Sequence, residues 1–459
     1  MTRGLLLVPP SRGVVIRDYY CSKTSQANYL HPPLDLVVQG GWLRDAGLEL
    51  SLVDATVDQL DAEAALAEVE RARPDVIFAL AGAVQWPEDR AFLQEAGRRT
   101  GAPVYASGDL FMEAPGEMLD KHDFLAGVLV DFSSDELARH LSGESFERVA
   151  LYLPGDTHAF QRTRVGREIP VPAHDLTVGK DYRYAFARAY PMAGIYTQYG
   201  CPYTCSFCII GELGAAVRPA ENVLEELRTL SALGVKELFL QDQCFGVPRR
   251  PFEELCEGIV AEGLQFGWWT FTRVDVIDRE MARMMKAAGC HTVILGVESA
   301  SEEILKNHRK GYGTELVREA FAMCQEEGLR TAATFILGLP EETADSLQRT
   351  IDFACSLPAD YASFNVAVPR AGTRLREDAV GSGLVEADLE VMDQSGFEPT
   401  LDTRDLSADD LRRWRRRAVA RFYLRPRYLW RRLRRIRTPV ELASQAREAW
   451  MLVRNLVTR

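Results

Sequence analysis

The chain has 459 residues, too many for one ordinary domain, and its composition, 47% apolar and 26% charged, is that of a globular protein. A formal charge of −12 hides an asymmetry: residues 411–459 hold 16 Arg against two Glu, so an acidic body carries a basic tail. A membrane-spanning helix is excluded by the lack of any run of ~18 uncharged apolar residues, the N-terminal apolar stretch is too short for a secretory signal, and nine mostly scattered cysteines point to a reducing cytoplasm rather than a disulfide framework.

Residues 1–142 alternate between apolar strand-length runs (GLLLVPP, then 48–55, 74–83, 102–108 and 126–132) and helical patterns such as 34–47 and 60–73. That alternation predicts parallel strands joined by helices, a Rossmann-like α/β sheet. Ligands of such sheets bind at the carboxyl ends of the strands. Here those ends are the small-residue turns Ala81-Gly82-Ala83 and Ser107-Gly108-Asp109. No G-x-G-x-x-G follows the first strand, which speaks against a dinucleotide. The polar and aromatic segment 22–36 is expected at the same face, either as a solvated loop or as a lid; His31, before two prolines, reads equally well as a structural loop residue.

Residues 143–193, broken by Pro154-Gly155, Pro170, Pro172 and Pro191, read as a linker. From 194 to 404 six strand–helix units follow, predicting a partial (β/α)6 barrel of the TIM type with its site at the C-terminal strand ends. The polar residues at those ends are Gln241-Asp242, Arg273 with Asp275, Glu298-Ser299 and the turn Gly338-Leu339-Pro340. Residues 405–459 read as a helical, Arg-rich tail with Trp414, Tyr423, Tyr428, Trp430 and Trp450 interleaved. Two roles compete for it: contact with the inner face of a membrane, or packing on the chain's own acidic body. Nucleic-acid binding lacks any accompanying recognition motif. The sheet and barrel look complete without the tail, so its removal is expected to leave a folded core.

The most specific signal is GCPYTCSFC, which spaces Cys201, Cys205 and Cys208 as C-x-x-x-C-x-x-C. Three close thiolates can ligate an iron–sulfur cluster and leave one iron without a protein ligand, and an open position on a metal site is where chemistry occurs. A zinc knuckle would need a fourth ligand at finger spacing, and the next candidate, Cys244, lies 36 residues beyond Cys208.

This run, with the aromatic Phe207 between its last two cysteines, resembles the signature of the radical S-adenosylmethionine (SAM) superfamily. The resemblance implies a [4Fe–4S] cluster whose open iron chelates SAM and whose electron cleaves it to methionine and a 5′-deoxyadenosyl radical. It also implies SAM contacts from Phe207, Asp242, Arg273, Glu298, Ser299, Gly338 and Pro340, with the Gly-Leu-Pro turn approaching the adenine through its backbone. An N-terminal sheet before such a barrel is similar to the cobalamin domain of class B radical SAM enzymes, the group that includes the anaerobic magnesium-protoporphyrin ester cyclase and hopanoid-tailoring proteins. Cobalamin would then meet Ala81, Gly82, Ala83, Ser107, Gly108 and Asp109. One departure stands out: the D-x-H-x-x-G motif that supplies a histidine to cobalt is missing, Asp120-Lys121-His122 being a fragment of it with no Gly at 125. Bound cobalamin is therefore expected without a histidine on cobalt, and a degenerate sheet kept for packing is the alternative.

The resemblance implies an enzyme that modifies an unactivated carbon of a small-molecule or lipid substrate, by methyl transfer or by radical cyclisation or rearrangement. Such an enzyme draws electrons from a donor such as flavodoxin or ferredoxin. The rival reading is a cobalamin or iron–sulfur redox sensor without catalysis, which would need no set of SAM contacts.

Overall fold

The computed structural model describes residues 2–25, 29–112, 114–158, 168–386, 399–436, 441–443, 445–447 and 449–450. Parts of the segments read above as lid, linker and tail therefore lie outside the described residues.

Two parallel sheets organise the chain. The first has six strands in the order Glu49–Asp54, Arg3–Val8, Val76–Leu80, Val104–Ser107, Leu125–Leu129 and Leu151–Tyr152. All neighbours are parallel except the last pair. Its central strands, RGLLLV and VIFAL, are buried almost throughout, because helices cover both faces of such a sheet and leave no side for polar residues. The sixth strand arises from the segment read as linker. Only Leu151 and Tyr152 pair, with Leu129 and Val128, a stretch too short to leave an alternating pattern in the sequence. The rest of that segment is also packed: His174 donates to or accepts from Glu226 at 2.7 Å, and Arg218 holds the other carboxylate oxygen of Glu226, all three buried.

The second sheet is parallel throughout. Its strands run in chain order from Met192–Ile195 through Glu237–Leu240, Gly267–Arg273, Cys290–Glu298 and Arg330–Leu337 to Tyr361–Val366, with helices between them. The helices start where capping residues accept free amides: Asp278 from Met281 N at 2.8 Å, and Thr343 reciprocally with Ser346. Their apolar stripes form the larger core with one face of the sheet. The opposite face is filled from the first 200 residues: Tyr184 stacks on Trp269 (5.3 Å between centroids), and Phe239, Trp269, Ile294 and Tyr361 pack with Leu30, Val57 and Tyr182.

The two sheets meet through the segment that follows the first strand. Tyr182 Oη donates to Asp54 (2.8 Å), Tyr19 N donates to Asp35 (2.6 Å), Gln243 Nε2 donates to Tyr20 Oη (3.0 Å), and Arg370 Nη2 reaches Cys21 Sγ (3.5 Å). The last two contacts join Tyr20 and Cys21 to residues just past strand ends of the second sheet, so the two carboxyl-end faces look toward one another across residues 17–25.

The tail overturns the expectation that the core is complete without it. Helix Ala408–Tyr423 lies on the outer strand Tyr361–Val366 and on helix Ala344–Ser356, burying Leu411, Ala418 and Phe422. Tyr423 Oη accepts from Ala362 N (3.1 Å) and donates to Ala362 O (2.8 Å), while Arg415 Nε donates to Phe364 O (2.9 Å). These bonds satisfy the free edge of the sheet, which would otherwise offer unpaired backbone to another chain. Helix Pro426–Arg435 continues the packing: Tyr428 Oη donates to Asp360 O (3.0 Å) and Arg431 to Ala359 O. Only its far side is free, with Trp430 and Leu433 55% and 68% exposed. Among the described residues no helix is long and apolar enough to cross a membrane.

Candidate active site

Beyond the strand Met192–Ile195 the chain extends as Gln198–Gly200, which pairs antiparallel with Ala215–Val217 and closes the loop 201–214 at its base. Gly200 has φ +70°, and a Cβ there would stand 1.8 Å from Gly214 O, so the closure requires glycine. Asp242, at the end of the neighbouring strand, fixes this base. Its buried carboxylate accepts from Thr197 N (2.7 Å), Gln198 N (3.1 Å) and the Thr197 hydroxyl. Burial pushes its pKa up to about 6 in spite of these bonds. The far side of the loop is clamped too: Ser206 Oγ bonds His308 Nδ1 (2.6 Å), His308 Nε2 bonds Glu341 (3.1 Å), and Leu375 N donates to Ser206 O (2.9 Å).

Cys201, Cys205 and Cys208 are all partly exposed on this loop, whereas five of the other six cysteines are buried. Around them stands a collar of charged and aromatic groups. Arg273 Nη1 lies 3.7 Å from Cys205 Sγ; its guanidinium is held by both oxygens of Asp275 (2.9 and 2.8 Å) and by Lys310 O, and stacks 3.7 Å over the Tyr203 ring. Lys310 Nζ donates to Glu298 (3.0 Å) and sits 5.7 Å from the Phe207 ring and 5.3 Å from that of Tyr312. Glu298 carries φ +66°, a conformation that an L-residue adopts at a cost and that aims its carboxylate here.

The thiols respond to this setting differently. A hydrogen bond from the buried Cys244 thiol lowers Cys201 to about 7, with Arg273 and Lys310 assisting. Burial raises Cys205, and Lys310 and Arg273 offset part of that. Burial pushes Cys208 up to about 11, with Arg370 pulling the other way. Among the described residues no three His, Cys, Asp or Glu side chains gather tightly enough to enclose one metal ion. Three thiols on one loop suit a cluster, which takes one thiolate at each of several irons. Cations beside the thiols suit the negative charge of such a group. The residues fit it.

Residues 195–354 match the family model of the Radical SAM superfamily. This part of the chain is a radical SAM domain. Among curated proteins the chain is similar to an uncharacterized methyltransferase, PH0819, of Pyrococcus horikoshii, with 34% identity over 57% of this chain and 57% of that protein. It is also similar to the anaerobic magnesium-protoporphyrin IX monomethyl ester cyclase of Cereibacter sphaeroides, with 29% identity over 50% of this chain and 39% of that one. The chain thus spans about half the length of these relatives. Among solved structures it resembles the radical SAM methyltransferase TsrM of Kitasatospora setae with cobalamin and a [4Fe–4S] cluster bound: TM-score 0.66, 20% identity, 90% of this chain and 85% of that one. This likeness shows a shared mixed α/β fold with parallel sheets.

Of the strand-end residues singled out in the sequence, the radical SAM domain brings Phe207, Arg273 and Glu298 together beside the thiols, with Lys310 linking the last to the first. The others serve the backbone. Asp242 holds the base of the loop, as described. Ser299 is buried against Thr350 Oγ1 (3.4 Å) and accepts from Ser301 N (3.1 Å). Gly338 N donates to the buried Glu342 (2.5 Å), and Pro340 O accepts from Arg404 N (3.3 Å). Gly338 has φ +83°, a conformation that favours glycine, and a Cβ there would stand 2.7 Å from the Leu411 side chain of the tail helix. Lys310, Tyr312, Tyr203 and His308 escaped the sequence reading, since they lie in loops rather than at strand ends. The polar-aromatic string HRKGYG (308–313) was the visible signal for three of them, and Tyr203 stood inside the cysteine run itself.

On the facing sheet, Asp109 accepts from Ala83 N (3.0 Å), Ser22 N (2.6 Å) and Ser22 Oγ (2.8 Å), while Asp89 accepts from Gly82 N (3.1 Å) and pairs with the buried Arg17 (2.6 Å). Gly82 is needed because Ser22 would stand 2.6 Å from a Cβ there, and Gly108, at φ +141°, because Ala81 O would stand 1.8 Å away. The turns 81–83 and 107–109 therefore clasp residues 17–22 over the strand ends. Two buried polar atoms on this face, Ser107 Oγ and Gln85 Oε1, have no hydrogen-bond partner among the described residues, which fits a polar ligand such as cobalamin. His122 packs on Trp86 (5.2 Å between centroids) and Phe124 (6.2 Å), with its pKa lowered by burial.

Proposed function

We propose that this chain is a cobalamin-dependent radical SAM enzyme that alters an unactivated carbon, by C-methylation or by radical cyclisation or rearrangement. Its substrate would be a lipid, a tetrapyrrole or a secondary metabolite. The observation that carries the reading is the opposition of two strand-end faces, one bearing three partly exposed thiols in a cationic collar and the other bearing unpartnered polar atoms. On this reading residues 1–142 are the cobalamin-binding domain, 143–193 the connection, 194–404 a partial barrel and 405–459 a C-terminal region.

Bound together, a [4Fe–4S] cluster, SAM and cobalamin supply radical and one-carbon chemistry; the protein positions and shields them. Cys201, Cys205 and Cys208 would ligate the cluster, and Arg273, pinned by Asp275, would offset its charge. Phe207 and the Glu298–Lys310 pair border the open side of the thiols, where SAM would lie. Asp242, Ser299, Gly338 and Pro340 would act by holding the loops that shape this space. Ala81, Gly82, Ala83, Ser107, Gly108 and Asp109 would form the cobalamin face. With no D-x-H-x-x-G motif, cobalamin would bind without a histidine on cobalt.

The test is incubation of the reconstituted protein with SAM and dithionite, which replaces a cytoplasmic donor such as flavodoxin or ferredoxin. 5′-Deoxyadenosine is the expected product. S-Adenosylhomocysteine beside it would assign methyl transfer, and its absence cyclisation or rearrangement. No SAM cleavage at all would favour the rival reading, a redox-sensing binding protein. A lesser proposal concerns the exposed Trp430 and Leu433, which stand among arginines: this face would rest on an anionic membrane surface. Sedimentation with anionic vesicles at low salt, lost when both residues are replaced by Ser, would support it.

A further inference from the structure

Ser206 stands between two thiols of the cluster loop but does not share their exposure. Cys205, Phe207 and Cys208 are partly exposed, whereas Ser206 is buried. Cys208 N donates to Cys205 O (3.0 Å), which closes residues 205–208 into one turn. That turn is held through Ser206. Its hydroxyl meets His308 Nδ1 (2.6 Å), its N–H donates to His308 O (3.4 Å), and its carbonyl accepts from Leu375 N (2.9 Å).

His308 is fixed in its own right. Its N–H donates to Ile304 O (3.0 Å) at the end of helix Glu302–Asn307, and its Nε2 meets Glu341, in the turn after strand Arg330–Leu337, at 3.1 Å. Arg309 follows with φ +57°, a left-handed conformation that a non-glycine residue holds at a cost. Across that bend the His308 ring and Lys310 Nζ both stand near Phe207, 6.1 and 5.7 Å from the centre of its ring. A carboxylate only accepts, so Nε2 carries the ring proton; in the neutral imidazole Nδ1 is then the acceptor, and the Ser206 hydroxyl donates to it. A hydrolytic triad has the same order of groups, but its serine must be open to a substrate. Ser206 is 6% exposed, with its N–H, O–H and C=O all engaged.

This chain of bonds bears on a cluster instead. The reduction potential of an iron–sulfur centre depends on its exposure to solvent and on hydrogen bonds to its sulfurs, and both follow the posture of residues 205–208. Releasing Ser206 would admit water, which favours the more negatively charged reduced cluster and raises the potential. A higher potential weakens the drive to reduce a sulfonium.

We infer that His308 is a positioning residue for the cluster: oriented by Glu341 and bonded to Ser206, it keeps the turn 205–208 closed and the reduction potential low. This rests on the cluster that the functional reading assigns to the loop. The test uses the full-length, cluster-loaded protein, titrated with dithionite while the reduced cluster is followed by electron paramagnetic resonance. His308→Asn places an amide oxygen near the position of Nδ1 and still accepts from Ser206, whereas His308→Gln places its amide near Nε2 and does not. His308→Gln and Ser206→Ala should each raise the reduced-to-oxidised ratio about tenfold at fixed potential, which is ~59 mV for one electron. The double variant should move no further than either, and His308→Asn should match the parent. A merely structural clamp would lower the Tm of all these variants and leave the potential in place; that result overturns the inference, as does an equal shift in His308→Asn. Cluster-free protein gives a second measurement for any variant that fails to load. Alkylation of the loop thiols by iodoacetamide should be at least about threefold faster in His308→Gln and Ser206→Ala than in the parent, and unchanged in His308→Asn. Equal rates throughout overturn the inference. 5′-Deoxyadenosine production by the parent reports on the functional reading separately: a parent that shows these shifts without cleaving SAM keeps the inference and loses that reading.

Discussion

The two sheets end in faces built from the same kinds of residue and used in opposite ways. At the first, the acidic groups are spent on structure: Asp89 on Arg17 and Gly82, Asp109 on Ser22 and Ala83. At the second, charges converge on the thiol loop: Arg273, Lys310 and Glu298 stand beside thiols that remain partly exposed. The carboxylates of the first face are thus scaffolding, and what it leaves open are the buried Ser107 Oγ and Gln85 Oε1. The second face leaves its thiols open beside buried ion pairs, an arrangement that shifts pKa values and suits a bound group.

The largest effects should separate the faces completely. Cys201→Ala, Cys205→Ala or Cys208→Ala should each abolish iron–sulfur absorbance and SAM cleavage, since three ligands leave no redundancy, with far-ultraviolet circular dichroism unchanged. A triple variant that still cleaved SAM would sink the reading of this loop. The opposite face should show the reverse. Asp89→Ala strands the buried Arg17 and should cost about 3–5 kcal/mol by urea denaturation, while the thiols stay competent to assemble a cluster. Equal stability of this variant and the parent would mean that the Arg17 pair does not hold the loop.

How much of this was legible in the sequence follows the same division. The thiol loop was readable because ligand spacing is written locally, and the strands because buried parallel strands are continuous apolar runs. The edge strand Leu151–Tyr152 was not, being two residues long. The tail's role stayed open between two readings because an amphipathic Arg-rich helix looks alike whether it covers lipid or the edge of a sheet. What distinguishes the two is the partner of Tyr423 and Arg415, the backbone of residues 362 and 364, about 50–60 positions away. The collar stayed hidden for a related reason: Lys310 meets the thiols only after Cys290–Glu298 and the short helix Glu302–Asn307 have turned the chain back.

The tail supplies a third prediction, somewhat smaller. Phe422 is fully buried against Phe364 (6.2 Å between centroids) and Tyr428 (5.3 Å). Phe422→Ala should cost about 3–4 kcal/mol through lost burial and an unfilled cavity, and truncation before Ser407 should leave an aggregating protein with an open sheet edge. A truncated protein that stayed monomeric with the parent's stability would restore the view of the tail as an accessory.

A pH-dependent effect, small per pH unit, sharpens the comparison within the second face itself. Glu342 lies beneath the Gly338 turn, and burial pushes its pKa up to about 8 although Gly338 N and Leu339 N donate to it. An ordinary glutamate in the unfolded chain titrates near 4.5. Between those values the folded protein keeps a proton that the unfolded chain has released. Stability should therefore be fully present below pH 4.5, fall as pH rises through the window, and level off above about 8. The slope is bounded at about 1.4 kcal/mol per pH unit. Glu342→Gln, which mimics the protonated acid and still accepts from Gly338 N, should remove this slope in denaturation measured at pH 5 and pH 8. If the variant kept the parent's pH dependence, the fall would have to come from other buried carboxylates, first among them Asp242, whose pKa is raised to about 6.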